Sequence, residues 1–165
     1  QELVCAALAT RDTTTTQHGG TAHVNPTAEK FGYPDSLVAS FEHWHVLVRP
    51  AQPTIGSLVL VCSDPVESFG EISPEASIEL QLATAAIERV LGEMFTIDKI
   101  NYLMLMMVDP DVHFHVLPRY AEDRDYAGSK FSDGSWPGPP DITASNDFPA
   151  AVKQQLISDL RERFA

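Results

Sequence analysis

A chain of 165 residues is long enough to bury one ordinary hydrophobic core, and 44% apolar with 21% charged residues is typical of a folded globular protein. The formal net charge of -12 argues against sequence-independent binding to nucleic-acid polymers, because that binding depends on Lys and Arg at the phosphates. The net charge is still compatible with a small phosphorylated ligand, since such a ligand needs only a local group of donors such as Arg49 and Arg119.

Cysteine usage and hydropathy bear on the compartment. Cys5 and Cys62 are too few for a disulfide framework, and no CxxC spacing is present. The longest apolar stretches are too short to cross a bilayer as a helix, and the first residues lack the cationic region of a signal peptide. We therefore expect a cytoplasmic protein with no membrane partner.

The first part of the chain differs in composition from the rest. From Thr10 to Pro26 the sequence is rich in Thr, Gly and His and has almost nothing apolar to bury. We predict that residues 1–25 form a flexible N-terminal arm and that residues 26–165 form a single domain.

Short apolar runs and turn signals then predict the order β-β-β-α-β-β. Three strands are expected at Leu37–Phe41, Trp44–Val48 and Leu58–Cys62, and Ser73-Pro74-Glu75 begins a helix that ends near Phe95. Two further strands are expected at Ile100–Val108 and Val112–Leu117.

The remainder of the chain divides at Asn146. Residues Tyr120–Asn146 are rich in Gly, Pro, Asp and Ser, which predicts a loop without regular structure, and the four-residue apolar repeat after it predicts a helix from about Phe148 to Phe164. The fold class is therefore α+β, an antiparallel sheet packed with helices and completed by a C-terminal helix.

The chemically informative segment is Asp111-Val112-His113-Phe114-His115. On a strand, alternate residues share a face, so Asp111, His113 and His115 are expected to point one way and the apolar residues the other. Three groups that accept or donate protons then lie in a row on one face, which indicates that this face lines a cleft. Two other interpretations stay open: the exposed face of an antiparallel sheet, or a metal site with these three residues as ligands.

The stretch His113-Phe114-His115-Val116-Leu117-Pro118-Arg119 resembles the histidine-triad family of nucleotide hydrolases and transferases, whose motif reads His-φ-His-φ-His-φ-φ. The likeness extends from about Phe31 to Tyr120, and the segments Lys99–Pro110 and Trp136–Pro140 resemble a bacterial branch that includes dinucleoside polyphosphate hydrolases. The resemblance implies a five-stranded antiparallel sheet and a homodimer formed through the central helix and a strand.

By the same resemblance, His113 is the nucleophile that attacks the α-phosphorus, and His115 supports the phosphate. Asn101 aligns with a polar residue that family members place upstream of the triad to bind the phosphate, and Arg119 is a further candidate donor to the phosphate. The scheme requires neither a metal nor another cofactor. It implies a nucleotidyl hydrolase or transferase that cleaves a phosphoanhydride or phosphoramidate through a nucleotidyl-histidine.

Three positions depart from the family pattern. Asp111 replaces the first histidine; it is a candidate catalytic-site residue that holds and orients His113, but its negative charge would repel a phosphate unless it is paired or protonated. Ser57 follows Gly56 where a histidine is usual, and Arg49 replaces a ribose-binding acid or amide. A serine hydroxyl can still donate a hydrogen bond to phosphate, whereas arginine cannot accept one from a ribose hydroxyl. These departures keep a second hypothesis open, a nucleotide-binding or regulatory protein that has lost catalysis.

Overall fold

The computed structural model describes residues 25–165. Residues 1–24 of the predicted arm lie outside this range, whereas Asn25 caps the first helix through a bond from the Ala28 amide to its side-chain oxygen. In chain order the elements are α1 (Pro26–Lys30), β1 (Leu37–Ser40), β2 (Trp44–Val48), β3 (Leu58–Cys62), a 3-10 turn (Phe69–Glu71), α2 (Pro74–Phe95), β4 (Lys99–Leu103), β5 (His113–Arg119), β6 (Arg124–Tyr126), β7 (Ser129–Phe131) and α3 (Ala150–Phe164).

The first five strands form one antiparallel sheet in the order β1-β2-β3-β5-β4, which confirms the predicted α+β class. β5 lies between β3 and β4, with His115 opposite Val59 on one side and Leu103 on the other. Because strand neighbours alternate between faces, the two histidines lie on one face and Phe114 and Val116 on the other.

The main core lies on the face opposite the histidines. There α2 and α3 pack on the sheet, and Ile87, Leu91 and Leu156 are among the side chains fully removed from solvent. Trp44 belongs to this core, and its indole N–H donates to the carbonyl of Ala76 at 2.8 Å. The buried tryptophan thus anchors the start of α2 to β2.

The predicted start and end of α2 are confirmed. The Ser73 side chain accepts a hydrogen bond from the Ala76 amide, Pro74 occupies the first helical position, and Thr96 closes the helix in the left-handed region at φ 50°. A serine cap and an N1 proline satisfy or avoid the free amides at a helix start, which is why the sequence indicates this start so clearly.

The prediction for β4 was wrong at its end. The strand stops at Leu103, and the segment up to β5 is irregular, with Met107 and Val108 more than four-fifths exposed. The last pair joins Leu103 to His115, two residues after the start of β5, and the chain beyond Leu103 then turns back to enter β5. The apolar run from Leu103 to Val108 therefore continues as a surface loop, and not as a strand buried on both faces.

The long segment Tyr120–Asn146 was predicted to lack regular structure, and this was wrong for its first part. β6 and β7 form a two-stranded hairpin across Ala127 and Gly128, both of which have positive φ. Gly128 provided a turn signal, but the flanking strands contain mostly polar residues and gave no alternating apolar pattern. Residues 132–146 are irregular.

The connection from β2 to β3 is organised by one amide side chain. The Gln52 oxygen accepts the amides of Gly56 and Ser57, each at 3.0 Å, and its nitrogen donates to the carbonyls of Arg49 and Ser57. Buried backbone groups need such partners, so Gln52 replaces ladder bonds that the turn cannot make.

In the described part of the chain, no helix is long and apolar enough to cross a membrane.

Two glycines allow a matched test of this packing. Gly56 has φ +84°, and a Cβ there would lie 2.8 Å from the Phe95 ring and 3.0 Å from Leu91, so Gly56→Ala is expected to destabilise the fold by about 1–3 kcal/mol. Gly92 lies within α2, and a Cβ added there would meet nothing within 4 Å, so Gly92→Ala is expected to stabilise the fold by about 0.5–1 kcal/mol. Urea unfolding measures the change in the free energy of unfolding for each variant. Equal changes in the two variants would contradict the close packing at Gly56.

Candidate functional site

The two histidines of the motif are adjacent on one face of β5. Their ring centroids are 5.1 Å apart, and both side chains are almost fully removed from solvent, with exposures of 1% for His113 and 6% for His115. Phe31, which follows α1, contacts both rings at centroid distances of 6.0 and 5.6 Å. The apolar wall on this side of the site is therefore supplied by the residue that caps the C-terminus of α1, an element that the sequence pattern did not predict.

The orientation of His113 is set by the main chain. Its Nδ1 lies 2.7 Å from the carbonyl oxygen of Asp111. A carbonyl can only accept, so Nδ1 carries a hydrogen and donates it, and in the neutral ring Nε2 holds the free electron pair. This tautomer suits a nucleophilic imidazole.

The carboxylate of Asp111 is directed to α1. It accepts hydrogen bonds from the Thr27 hydroxyl at 2.6 Å and from the Thr27 amide at 3.2 Å. Asp111 precedes β5, which begins at His113, so the strict alternation expected from the sequence does not extend to it. Its charge is thus engaged by the first turn of α1, and Asp111 does not line the cleft.

His115 is held in its neutral form. Burial lowers the pKa of His115 to about 4, and the neighbouring His113 ring and the Arg49 guanidinium act in the same direction. Its Nδ1 is buried and has no hydrogen-bond partner within residues 25–165. A buried polar atom without a partner is costly, so this atom is a candidate contact for a ligand.

A cleft of about 400 Å³ opens beside the histidines. His113, His115 and Arg49 line it, together with residues that the sequence had not marked as site residues: Lys30, Phe31, Ile142 and the residues of the loop after β4 from Leu105 to Asp109. No local motif marks these residues, because they reach the cleft from three separate parts of the chain. The Lys30 ammonium and the Asp109 carboxylate form an ion pair of 2.6 Å there.

Arg49 is the cation of the cleft that has no acidic partner among the described residues. Its guanidinium donates to the carbonyls of Ala51 at 3.0 Å and Ile142 at 2.7 Å, and its Nε is buried without a partner. Burial lowers the pKa of Arg49, but a guanidinium remains charged at neutral pH. A partly buried positive charge without a carboxylate favours an anionic ligand.

Arg119 and Asn101, both expected at the phosphate, lie outside the cleft. The Arg119 guanidinium forms a bidentate pair with Asp133, with distances of 2.6 and 3.2 Å, and also donates to the Asn101 side chain and the Gly138 carbonyl. These contacts fix the loop at residues 132–146 to the sheet. Among the described contacts, Arg119 and Asn101 serve the architecture.

Ser57 is also placed away from the histidines' cleft. Its hydroxyl donates to the Thr54 carbonyl at 2.7 Å, and the side chain is fully buried in the turn before β3. Nor does the structure assemble the three residues of the metal hypothesis. Within residues 25–165, no group of three or more His, Cys, Asp or Glu side chains is placed to share a metal ion.

The low pKa of His115 predicts how acid affects stability. Its folded value of about 4 is below the ordinary 6.5, so the unfolded chain takes up the proton first as the pH falls. The stability contributed by the neutral ring is present above about pH 6.5 and is lost as the pH falls towards about 4. In the parent protein, the urea midpoint of unfolding is expected to be lower at about pH 5 than at about pH 7. In His115→Asn, this decrease is expected to be smaller. Equal declines would place the acid sensitivity elsewhere.

Neither a protein-family model nor a curated protein matches this sequence. The chain is similar in structure to a histidine-triad protein from Bradyrhizobium japonicum, with TM-score 0.63 and 21% identity over 78% of this chain and 90% of that one. It is also similar to a histidine-triad protein from Sinorhizobium meliloti, with TM-score 0.67 and 18% identity over 87% and 97% of the two chains.

A third similar structure is a hypothetical histidine-triad nucleotide-binding protein from Sulfolobus tokodaii, with TM-score 0.61 and 13% identity over 78% of this chain and 83% of that one. The likeness to these structures covers 78–87% of this chain, which has the five-stranded antiparallel sheet and the helices that the sequence resemblance implied. The chain therefore has the histidine-triad fold.

Proposed function

We propose that this protein is a nucleotidyl hydrolase or transferase that acts through a nucleotidyl-histidine formed on His113. The observation that supports it most directly is the hydrogen bond from His113 Nδ1 to the Asp111 carbonyl, which leaves Nε2 as the nucleophilic nitrogen in the cleft that Arg49 also lines. The fold shared with a histidine-triad nucleotide-binding protein is consistent with a nucleotide ligand.

Each group of the cleft has a role in this scheme. Nε2 of His113 attacks the α-phosphorus, and the leaving group departs with its electron pair. Water later cleaves the P–N bond and frees the nucleoside monophosphate, or another acceptor cleaves it and takes the nucleotidyl group. Arg49 neutralises charge on the non-bridging oxygens, and the neutral His115 supports the phosphate by hydrogen bonding. No step of this scheme requires a metal or another cofactor.

Substitution of His113 tests the scheme. His113→Asn is expected to lower kcat/KM for nucleotide hydrolysis by at least about a thousandfold and to abolish acid-quenched trapping of labelled nucleotide on the protein, because no other nitrogen replaces the nucleophile. His43→Asn is the matched control, since His43 binds Asp64 at the surface and does not line the cleft. Full activity in His113→Asn would overturn the proposal.

A second candidate function is nucleotide binding without turnover. It is favoured by the engagement of Ser57, Asn101 and Arg119 in structural contacts, which leaves fewer donors at the reacting phosphate than the family pattern implies. Calorimetric binding of a nucleoside monophosphate, combined with no turnover of any phosphoanhydride or phosphoramidate, would support this function in place of the first.

We also propose a homodimer formed through β4 and α2. β4 is an edge strand of the sheet, and Tyr102 on it donates to Glu88 of α2 at 3.2 Å, so the two elements are neighbours. On α2, Ile78 and Leu82 are 68% and 56% exposed and lie one turn apart. An open edge beside exposed apolar side chains suits a second copy of the chain.

The dimer predicts a specific effect of charge on α2. Leu82→Glu is expected to shift the protein from dimer to monomer in size-exclusion chromatography with light scattering, because a carboxylate would be buried at the interface. Gln154→Glu is the control, since it adds the same charge to an exposed position of α3. If the parent protein is monomeric at every protein concentration measured, the homodimer is excluded.

A further inference from the structure

Arg49 is held beside the cleft by two carbonyl oxygens, and one of them comes from a distant part of the chain. Its guanidinium donates to the Ala51 carbonyl at 3.0 Å, which is a local contact, and to the Ile142 carbonyl at 2.7 Å. Among the described residues, its Nε has no partner. The direction of the guanidinium therefore depends on where the chain places the Ile142 carbonyl.

Ile142 lies in the irregular segment of residues 132–146, which we call the Ile142 loop. Its side chain is half-buried, whereas Asp141 and Thr143 on either side of it and Ser145 further along are exposed. A segment with few buried side chains and no regular structure is not held in place by its own packing. The position of the Ile142 carbonyl therefore depends on the contacts at the two ends of the loop.

Asn146 joins both ends of the Ile142 loop at one point. Its side-chain nitrogen donates to the carbonyls of Gln52, Pro53 and Ser132, at 3.1, 2.9 and 3.1 Å. Its side-chain oxygen accepts the Ser132 amide at 3.0 Å, and its main-chain amide donates to the Gln52 carbonyl at 2.9 Å. The first and last residues of the loop are thus bonded to each other and to the turn that follows Arg49.

The first half of the loop has a second anchor. The Arg119 guanidinium pairs with Asp133 at 2.6 Å, and the two side chains are 4% and 2% exposed. It also donates to the Gly138 carbonyl at 3.0 Å. Ile142 lies midway between Gly138 and Asn146, so the loop is held on both sides of the carbonyl that bonds to Arg49. Removal of Asp133 would leave a buried charge unpaired, which makes Asn146 the better position for a test.

We infer that Asn146 is a positioning residue of the cleft, because it holds the Ile142 loop and thereby fixes the Arg49 guanidinium where an anion binds. The inference rests on the proposed function for the anion, and it adds a residue that does not line the cleft. Arg49 occupies a position where the family pattern has an acid or amide, so its support comes from residues outside the motif.

The order of the Arg49 side chain can be measured without any ligand. The Nε–H signal of Arg49 in ¹⁵N NMR spectra is identified by its loss in Arg49→Gln, and its heteronuclear NOE reports motion on the ps–ns timescale. In the parent protein we expect a value close to that of the rigid backbone, and in Asn146→Ala a clear decrease. Equal values in the two proteins would overturn the inference.

Adenosine monophosphate is the probe for a second measurement, calorimetric binding to the parent, Asn146→Ala, Arg49→Gln and the double variant. We expect Asn146→Ala to raise the Kd about fivefold, the usual effect of having to immobilise one long side chain on binding. In the Arg49→Gln background the same change is expected to raise the Kd less than about twofold, because no guanidinium is left to order. Equal increases in both backgrounds would show that Asn146 acts without Arg49 and would overturn the inference.

Ser73→Ala is the control for a general loss of stability. It removes the side-chain cap of α2, and Ser73 does not line the cleft. We expect a lower urea midpoint with an unchanged Arg49 NOE and an unchanged Kd, and weakening of binding equal to that in Asn146→Ala would overturn the inference. If Asn146→Ala does not fold, Asn146→Ser replaces it, since a serine hydroxyl can still donate to one of the carbonyls.

The outcomes for the two proposals differ. Neither measurement needs turnover, so an absence of nucleotide cleavage would overturn the proposed catalysis and leave the role of Asn146 standing. If Arg49→Gln binds adenosine monophosphate as tightly as the parent, or if the parent does not bind it, the anion role of Arg49 and the inference are both overturned.

Discussion

The geometry of the site depends on Asp111, whose main-chain carbonyl and side-chain carboxylate bind two different elements. The carbonyl of Asp111 accepts the hydrogen bond from His113 Nδ1, and its carboxylate accepts two hydrogen bonds from Thr27 at the start of α1. The ring orientation at the end of β5 and the position of α1 are therefore coupled through a single residue. Phe31, at the other end of α1, then closes the wall beside both histidines.

This arrangement explains how an acid at this position is compatible with the anionic substrate that we propose. A free carboxylate near a phosphate would repel it, but hydrogen bonds from the Thr27 hydroxyl and amide stabilise the charge and hold the carboxylate towards α1. Asp111, which stands in place of the first histidine, therefore holds α1 through Thr27. The positive charge of the cleft comes from Arg49. A departure from a family motif need not weaken the chemistry when the new side chain is engaged elsewhere.

The two arginines show why residue type does not determine a role. Arg119 has a buried carboxylate partner in Asp133 and satisfies carbonyl and amide acceptors around it, so it acts as a structural anchor. Within residues 25–165, Arg49 has carbonyl partners only and an unpaired Nε. Both were equal candidates from the sequence, because the distinction depends on whether an acid fourteen residues further along folds back to the strand.

Features set by local pattern were predicted well from the sequence. The bounds of β2, β3 and α2 follow from apolar runs, a serine cap and an N1 proline, and the adjacency of His113 and His115 follows from strand periodicity. The end of β4 and the engagement of Ser57 depend on strand pairing and on a turn that Gln52 organises, which no local pattern encodes. The residues from Leu105 to Val108 were wrongly assigned to a strand, because an apolar run in the sequence does not show whether the folded chain covers it.

The contacts of Arg49 also affect the thermodynamics of ligand capture. One of the two carbonyls that hold its guanidinium belongs to Ile142, 93 residues further along the chain, and Gln52 fixes the turn that follows Arg49. A long side chain that is ordered before binding loses little rotamer freedom when an anion arrives. The entropy of ordering this arginine is thus lost during folding. Binding of an anion to Arg49 therefore carries a smaller entropy loss than binding to a flexible surface arginine.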